Sequence, residues 1–129
     1  MMLNVQTQQQ RDEDAEMLRR IESAVVAIFS NGVPRRQITH GFIAVAAGYK
    51  EGALQYLADK RPLTKAYIET VAESRKDWLR RRITTIAHER RLAGENISIA
   101  DVRREMSLKP NTFVKYKDFL KELIEELNE

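Results

Sequence analysis

The sequence contains no cysteine, and it has only five glycines, three prolines and two histidines among its 129 residues. Without cysteine, neither a disulfide nor a thiolate zinc site can form, and His40 and His88 alone cannot enclose a metal ion. No apolar run approaches the roughly 20 residues that span a bilayer, and the first residues lack the apolar segment of a secretory signal. We therefore expect a cytoplasmic protein that needs no metal or cofactor and does not bind membranes.

The motifs of known catalytic sites are missing as well. There is no glycine-rich phosphate loop, no HExxH pair and no nucleophile elbow. The acidic residues do not gather beside a basic cleft as a nuclease would require, and their positions fit helix caps and solubilising charge. The sequence therefore predicts a protein that is not an enzyme.

Charge of the two signs is unevenly distributed along the chain. The net charge is only +3, but the part from Arg35 to Lys117 holds 18 Lys/Arg against 9 Asp/Glu, whereas the two ends together hold 4 against 10. A basic surface attracts nucleic acid, and it also attracts anionic membranes and acidic proteins. The charge pattern alone leaves these partners open.

The segment from Ile97 to Leu120 has the spacing of a helix-turn-helix. Ser98 and Asp101 match the Ser-x-x-Asp variant of the capping box, which predicts a helix start at this point. Val102 and Met106 lie one helical turn apart on a face that can be buried. A break follows directly, as expected for the end of a short first helix.

A second helix is predicted after this break. Leu108 would fill the turn, and Pro110 suits the first turn of a helix, where its missing N–H costs nothing. Apolar and aromatic residues then recur at helical spacing and predict the buried face: Phe113, Tyr116 and Leu120. Such a helix, turn and helix is typical of DNA-reading proteins.

The opposite face of the second helix is polar. With about 100° per residue, Asn111, Lys115 and Asp118 point away from an inward Phe113. Asn can contact adenine through two hydrogen bonds, and Lys can contact guanine. We therefore predict Asn111, Thr112 and Lys115 as base-reading residues, with the alternative that the two helices and their turn serve packing only.

A shift of 59 residues reveals an earlier copy of the same pattern. It pairs Ile38 with Ile97, Thr39 with Ser98, Ile43 with Val102, Gly48 with Ser107, and Leu54 with Phe113. This repeat predicts a short helix that stops at Gly48 and a second one that ends before Pro62. Gln55 and Tyr56 are its candidates for base contacts, although a structural role for this copy is equally open.

Basic residues on both copies are candidates for phosphate contacts, which position a protein on DNA without specifying sequence. We predict this role for Arg35, Arg36, Lys50, Arg81, Arg82, Lys109 and Lys117. The alternative is that the arginines around Arg81 are the solvated side of a helix whose buried side carries Leu79 and Ile83.

Together these patterns predict an all-α protein of about seven helices, arranged as tandem helix-turn-helix units that are each preceded by a longer helix. We expect residues 1–11 to be disordered or left over from cloning. Residues 12–73 would form the first unit and residues 74–129 the second. A dimer seam has too few heptads, so we expect a monomer.

Residues 38–120 resemble the C-terminal half of TnsD proteins, the target-site selectors of heteromeric bacterial transposons. The similarity is carried by Pro62-x-Thr64, by Glu73-Ser74 with Asp77, by Arg81-Arg82-Ile83, and by the helix-turn-helix about fifteen residues further on. The resemblance implies sequence-specific binding to double-stranded DNA during transposition, at the nucleoid, with other transposition proteins as further partners.

Not all of that family's features are expected here. TnsD proteins recruit an ATPase through an N-terminal zinc-binding region, for which this sequence has no cysteines. A stand-alone helix-turn-helix transcriptional regulator is a second interpretation of the same motif. A helical adaptor whose basic face meets an acidic protein is an interpretation from another class.

Overall fold

The computed structural model describes residues 7–55, 57 and 60–129, and it confirms the all-α class. These residues form six α-helices and no strand, against about seven helices expected. They are α1 (Gln8–Phe29), α2 (His40–Ala46), α3 (Pro62–Val71), α4 (Arg75–Leu92), α5 (Ile99–Met106) and α6 (Pro110–Leu127). The chain divides into two compact units, which we call the N-unit, up to Arg75, and the C-unit, from Lys76 onwards.

Helix α1 begins earlier than the sequence analysis predicted. Thr7 and Gln10 form a capping box, in which the Gln10 N–H donates to Thr7 Oγ1 over 3.1 Å and the Thr7 N–H donates to Gln10 Oε1 over 2.9 Å. The Gln8 amide also donates to Asp12 one turn ahead. Residues 8–11 are therefore helical rather than a tail, because their glutamine side chains bond along the helix. Residues 1–6 lie outside the described part.

The core of the N-unit forms where α1 packs against α2 and α3. Its buried members include Ile21, Val25, Ile43, Leu54 and Ile68. Two polar residues, Asp14 and Thr64, are also fully buried in this unit. The carboxylate of Asp14 accepts hydrogen bonds from the N–H groups of Leu63 and Thr64 at 2.9 and 3.0 Å. The Asp14 carboxylate of α1 thus caps α3. Arg61, at the N-cap position of α3 itself, supplies no side-chain hydrogen bond.

The second helix predicted for the first copy does not form in the described residues between α2 and α3. Residues 51–55 are turns, in which the N–H of Gln55 donates to the carbonyl of Gly52 over 3.3 Å. Gly52 disfavours a helix here. Leu54, within these turns, and Leu57 are both buried in the core. Residues 56, 58 and 59, on which part of this predicted helix falls, lie outside the described residues.

The C-unit has its own core between α4, α5 and α6. Leu79, Ile83, Val102 and Leu120 have no exposed surface, and Leu123 has almost none. This agrees with the buried faces that the apolar spacing predicts for all three helices.

The repeat is visible in the backbone of both units. The hydroxyls of Thr39 and Ser98 both accept from the N–H three residues ahead, at 3.1 and 3.2 Å. Gly48 and Ser107, which close the short helices, both have a left-handed backbone, with φ of 85° and 49°. The same hydroxyl cap therefore starts α2 and α5. A left-handed residue follows both helices, directly after Met106 in the C-unit and one residue later, after Ala47, in the N-unit.

Each unit is also closed in the same way. In the N-unit, Ile38 receives a hydrogen bond on its carbonyl from the Glu73 N–H and donates its own N–H to Glu73 Oε1. In the C-unit, the side-chain amide of Asn128 bonds both backbone groups of Ile97, at 3.1 and 2.9 Å. A residue just after the last helix thus fixes the isoleucine before the cap, which holds the short helix in position.

Candidate nucleic-acid interface

The turn between α5 and α6 sets the direction of the predicted reading helix. Ser107 takes the left-handed conformation with φ 49° and ψ 45°, and Lys109 is extended at the N-cap of α6. Pro110 occupies the first turn, and Lys109 offers no side-chain cap to the N–H groups that follow. A helix N-terminus of this kind favours anions such as phosphate, because its N–H groups and dipole point outwards.

Aromatic residues anchor α6 from beneath. Phe113 and Tyr116 are half-buried and pack against the core of the C-unit, while Leu120 and Leu123 are inside it. As expected from their spacing, these residues all lie on the side of α6 that faces the core. The remaining arc of the first two turns is therefore directed away from the core.

We call this remaining arc the outer face of α6. Its members are all exposed and follow one another at helical spacing: Asn111, Val114, Lys115 and Asp118. Within the part of the chain that the structure describes, the side chains of Asn111 and Asp118 make no hydrogen bond or ion pair. Lys115 makes only a ring contact, with its Nζ 5.4 Å from the ring centre of Tyr116. The outer face thus presents an amide, an ammonium and a carboxylate to an external ligand.

Thr112, the third predicted base reader, is half-buried at the edge of this face. It lies about 100° round the helix from Asn111, on the side that turns towards the core. Its hydroxyl is therefore less accessible to an external ligand than the amide of Asn111.

The charges of α6 are polarised along its length. Lys109 at its N-cap and Lys115 and Lys117 in its first half are exposed. Acidic residues dominate the second half, where Glu126 pairs with Arg80 of α4 at 3.6 Å. A polyanion is thus attracted to the N-terminal half of α6 and repelled from its C-terminal half.

Arg103, a residue that the sequence analysis did not single out, stacks on Phe113 in the first turn of α6. Its guanidinium carbon lies 4.4 Å from the ring centre of Phe113. Arg103 is exposed on α5 and follows buried Val102, so its side chain reaches across the turn to the first helical turn of α6. The spacing of a helix-turn-helix brings these two positions together, but neither residue type alone indicates the stack.

Helix α5 is itself held by ion pairs. Arg90 of α4 contacts Glu105 at 2.9 Å and Asp101 at 3.6 Å, and Arg104 contacts Asp101 at 2.6 Å. The pKa of Asp101 lies below its usual value, mainly because its carboxylate accepts from the Ser98 N–H, with further contributions from the Ser98 hydroxyl and from Arg90. The predicted cap formed by Ser98 and Asp101 is therefore present, and the Asp101 carboxylate is ionised at neutral pH.

The seven residues predicted to contact phosphate fall in both units. Lys109, at the N-cap of α6, and Lys117, on α6, flank the outer face. Arg81 and Arg82 are half-buried on α4 of the same unit. The other three are exposed in the N-unit: Arg35, Arg36 and Lys50. The guanidinium of Arg36 stacks on the ring of Phe42 at 4.0 Å, which keeps part of its surface on the protein.

The N-unit has no counterpart of the outer face in its described residues. Gln55 is exposed, but it belongs to a turn rather than to a helix, and Tyr56 lies outside the described residues. The side chain of Glu51 approaches Gly41 so closely that a Cβ on Gly41 would come within 2.8 Å of Glu51 Cγ. An acidic residue therefore stands at the first turn of α2, which is unfavourable for phosphate at that point.

No family model matches the sequence, and no curated protein or solved structure is significantly similar to it. Across the described residues, no helix combines the length and the apolarity that crossing a lipid bilayer requires.

Proposed function

We propose that the protein is a non-enzymatic, sequence-specific binder of double-stranded DNA, with the first half of α6 lying in the major groove. The observation that carries this proposal is the outer face of α6. Its polar side chains are exposed while Phe113 and Tyr116 hold the helix from below. A rigid helix with polar groups directed outward is what base reading requires.

Within this proposal, the outer face divides into distinct contacts. Asn111 donates to and accepts from the edge of an adenine, and Lys115 donates to a guanine. Asp118 accepts from the amino group of a cytosine. Lys109 and Lys117 contact the phosphates on either side, where they fix the register of the helix without reading sequence.

The biological role that we propose is the selection of a target site in transposition, as in TnsD proteins. This part of the proposal is supported by the residues of the sequence resemblance between Pro62 and Ile83 and by the basic character of the chain between Arg35 and Lys117. In that role the protein acts in the cytoplasm at the nucleoid, with DNA as its main partner and other transposition proteins as further ones. The C-unit supplies the base contacts, and basic residues of the N-unit contact the phosphates of the DNA backbone.

Selection of bound fragments from random double-stranded DNA tests the proposal. We expect one enriched motif whose bases are protected in the major groove when the protein is bound. A helical adaptor for an acidic protein would enrich no motif, and that result would refute the proposal. A palindromic motif bound by a dimer would favour a stand-alone transcriptional regulator over a target selector.

A further inference from the structure

Val114 is the apolar member of the outer face of α6, and 72% of its surface is exposed. Single exposed apolar side chains are common on proteins, so exposure by itself indicates nothing. The position of this one is unusual, because Asn111, Lys115 and Asp118 surround it on the face directed away from the core. Valine also favours a helix less than Lys, Glu or Gln would at an exposed position. The packing of the C-unit therefore gives no reason for a valine here.

Distances along the helix relate Val114 to Asn111. At about 1.5 Å per residue, the two side chains lie about 4.5 Å apart along the axis of α6. This is close to the spacing of about 3.4 Å between successive bases on one strand. In a helix that lies along the groove with the amide of Asn111 at one base pair, the isopropyl group of Val114 would face the neighbouring pair.

The major groove offers one apolar group that a valine can recognise, the 5-methyl group of thymine. We infer that Val114 is a specificity-determining residue that packs on a thymine methyl in the base pair next to the adenine held by Asn111. The bound site therefore contains two consecutive A·T pairs. This inference rests on the proposed function and adds to it the identity of two neighbouring bases.

Deoxyuridine tests the contact, because it keeps the hydrogen-bonding groups of thymine and lacks only the methyl. The affinity of the full chain is measured by fluorescence anisotropy for the duplex selected from random DNA and for duplexes with deoxyuridine at each thymine in turn. One replacement next to the Asn111-contacted adenine should weaken binding about fourfold, the loss expected when one methyl-sized group is no longer buried.

The variant Val114→Ala assigns that loss to its side chain. It should bind the thymine duplex about fourfold more weakly than the natural protein and should no longer distinguish thymine from deoxyuridine at that position. Its fold is expected to persist, because the position is exposed and alanine is the better helix former. Leu92→Ala is the matched control, since Leu92 is 76% exposed at the end of α4 and away from the outer face. It should bind both duplexes as the natural protein does.

The possible failures are distinguishable. A selected motif without two consecutive A·T pairs, or equal binding of thymine and deoxyuridine duplexes, would overturn the role of Val114 and leave the proposed function standing. Continued discrimination by Val114→Ala would likewise overturn it, because another side chain would then contact the methyl. The lack of any selected motif would overturn the proposed function together with this inference.

Discussion

Gly48 and Ser107 stand at matching positions of the two units, and both adopt a left-handed backbone, with φ of 85° and 49°. Glycine takes this conformation without steric cost, whereas a residue with a Cβ is strained in it. The left-handed conformation is therefore less costly in the N-unit than in the C-unit, although it falls on the second residue after α2 and on the first after α5. The C-unit has its strained serine in the turn just before α6.

This relationship predicts opposite effects of exchanging the two residue types. Ser107→Gly should stabilise the protein by up to about 1 kcal/mol, and Gly48→Ala should destabilise it by at least about 1 kcal/mol. The control is Gly52→Ala, since Gly52 lacks a positive φ and a Cβ there meets nothing within 4 Å. Urea unfolding followed by circular dichroism measures all three. Equal destabilisation by Gly52→Ala and Gly48→Ala would contradict the role of the backbone conformation.

The buried carboxylate of Asp14 should be important for the stability of the N-unit. Asp14→Ala leaves the N–H groups of Leu63 and Thr64 without their acceptor, and the expected loss is at least about 2 kcal/mol. Hydrogen exchange of the α3 amides should accelerate accordingly. Asp12→Ala removes an exposed carboxylate from the same helix, and its effect should stay within about 0.5 kcal/mol. Similar losses in the two variants would show that α3 does not depend on this cap.

The stack of Arg103 on Phe113 should couple the two helices of the C-unit. A double-mutant cycle with Arg103→Ala and Phe113→Leu should give a coupling energy of about 0.5–1 kcal/mol, the size of a cation–π interaction at an exposed site. The free energies of unfolding of the four proteins are the quantities compared. If the effects of the two substitutions on the free energy of unfolding are additive, the contact of Arg103 with Phe113 at 4.4 Å does not stabilise the protein.

The lysines beside the outer face should determine how binding depends on salt. If Lys109 and Lys117 contact phosphates, each alanine variant should reduce the slope of log affinity against log salt by about 0.9 and weaken binding on all sequences alike. Lys60→Ala, an exposed lysine of the N-unit outside the predicted phosphate contacts, provides the comparison at equal change in charge. An unchanged slope for Lys109→Ala and Lys117→Ala would show that these two lysines do not contact phosphates.

Local signals in the sequence were sufficient for the helix-turn-helix of the C-unit. Ser98 with Asp101 and the spacing of Val102, Phe113 and Leu120 are short-range features, and they predict α5 and the first half of α6 correctly. The all-α class follows from the same kind of periodicity. Such features succeed because helix starts and buried faces depend on residues within a few positions of each other.

Other features depend on residues that are distant in sequence, and these were missed. The cap that Asp14 provides to α3 joins positions 50 residues apart, and nothing near Thr64 indicates it. The second helix of the first copy was predicted by analogy with the other copy, but Gly52 disfavours a helix, and residues 51–55 form turns in which Leu54 is buried. For the candidate site, spacing predicted Asn111 and Lys115 on one exposed face. It did not indicate the contact of Arg103 with Phe113, which depends on how α5 and α6 pack.

The central claim is that the outer face of α6 reads bases, and the double variant Asn111→Ala with Lys115→Ala tests it most directly. Its affinity is measured for the selected duplex and for a duplex of scrambled sequence at the same salt concentration, with Lys121→Ala, an exposed lysine later on the same helix, as control. We predict that the double variant loses at least about 2 kcal/mol of preference for the selected duplex while binding to the scrambled duplex changes little. An equal loss on both duplexes would contradict the claim, because it would mean that these side chains contribute only charge.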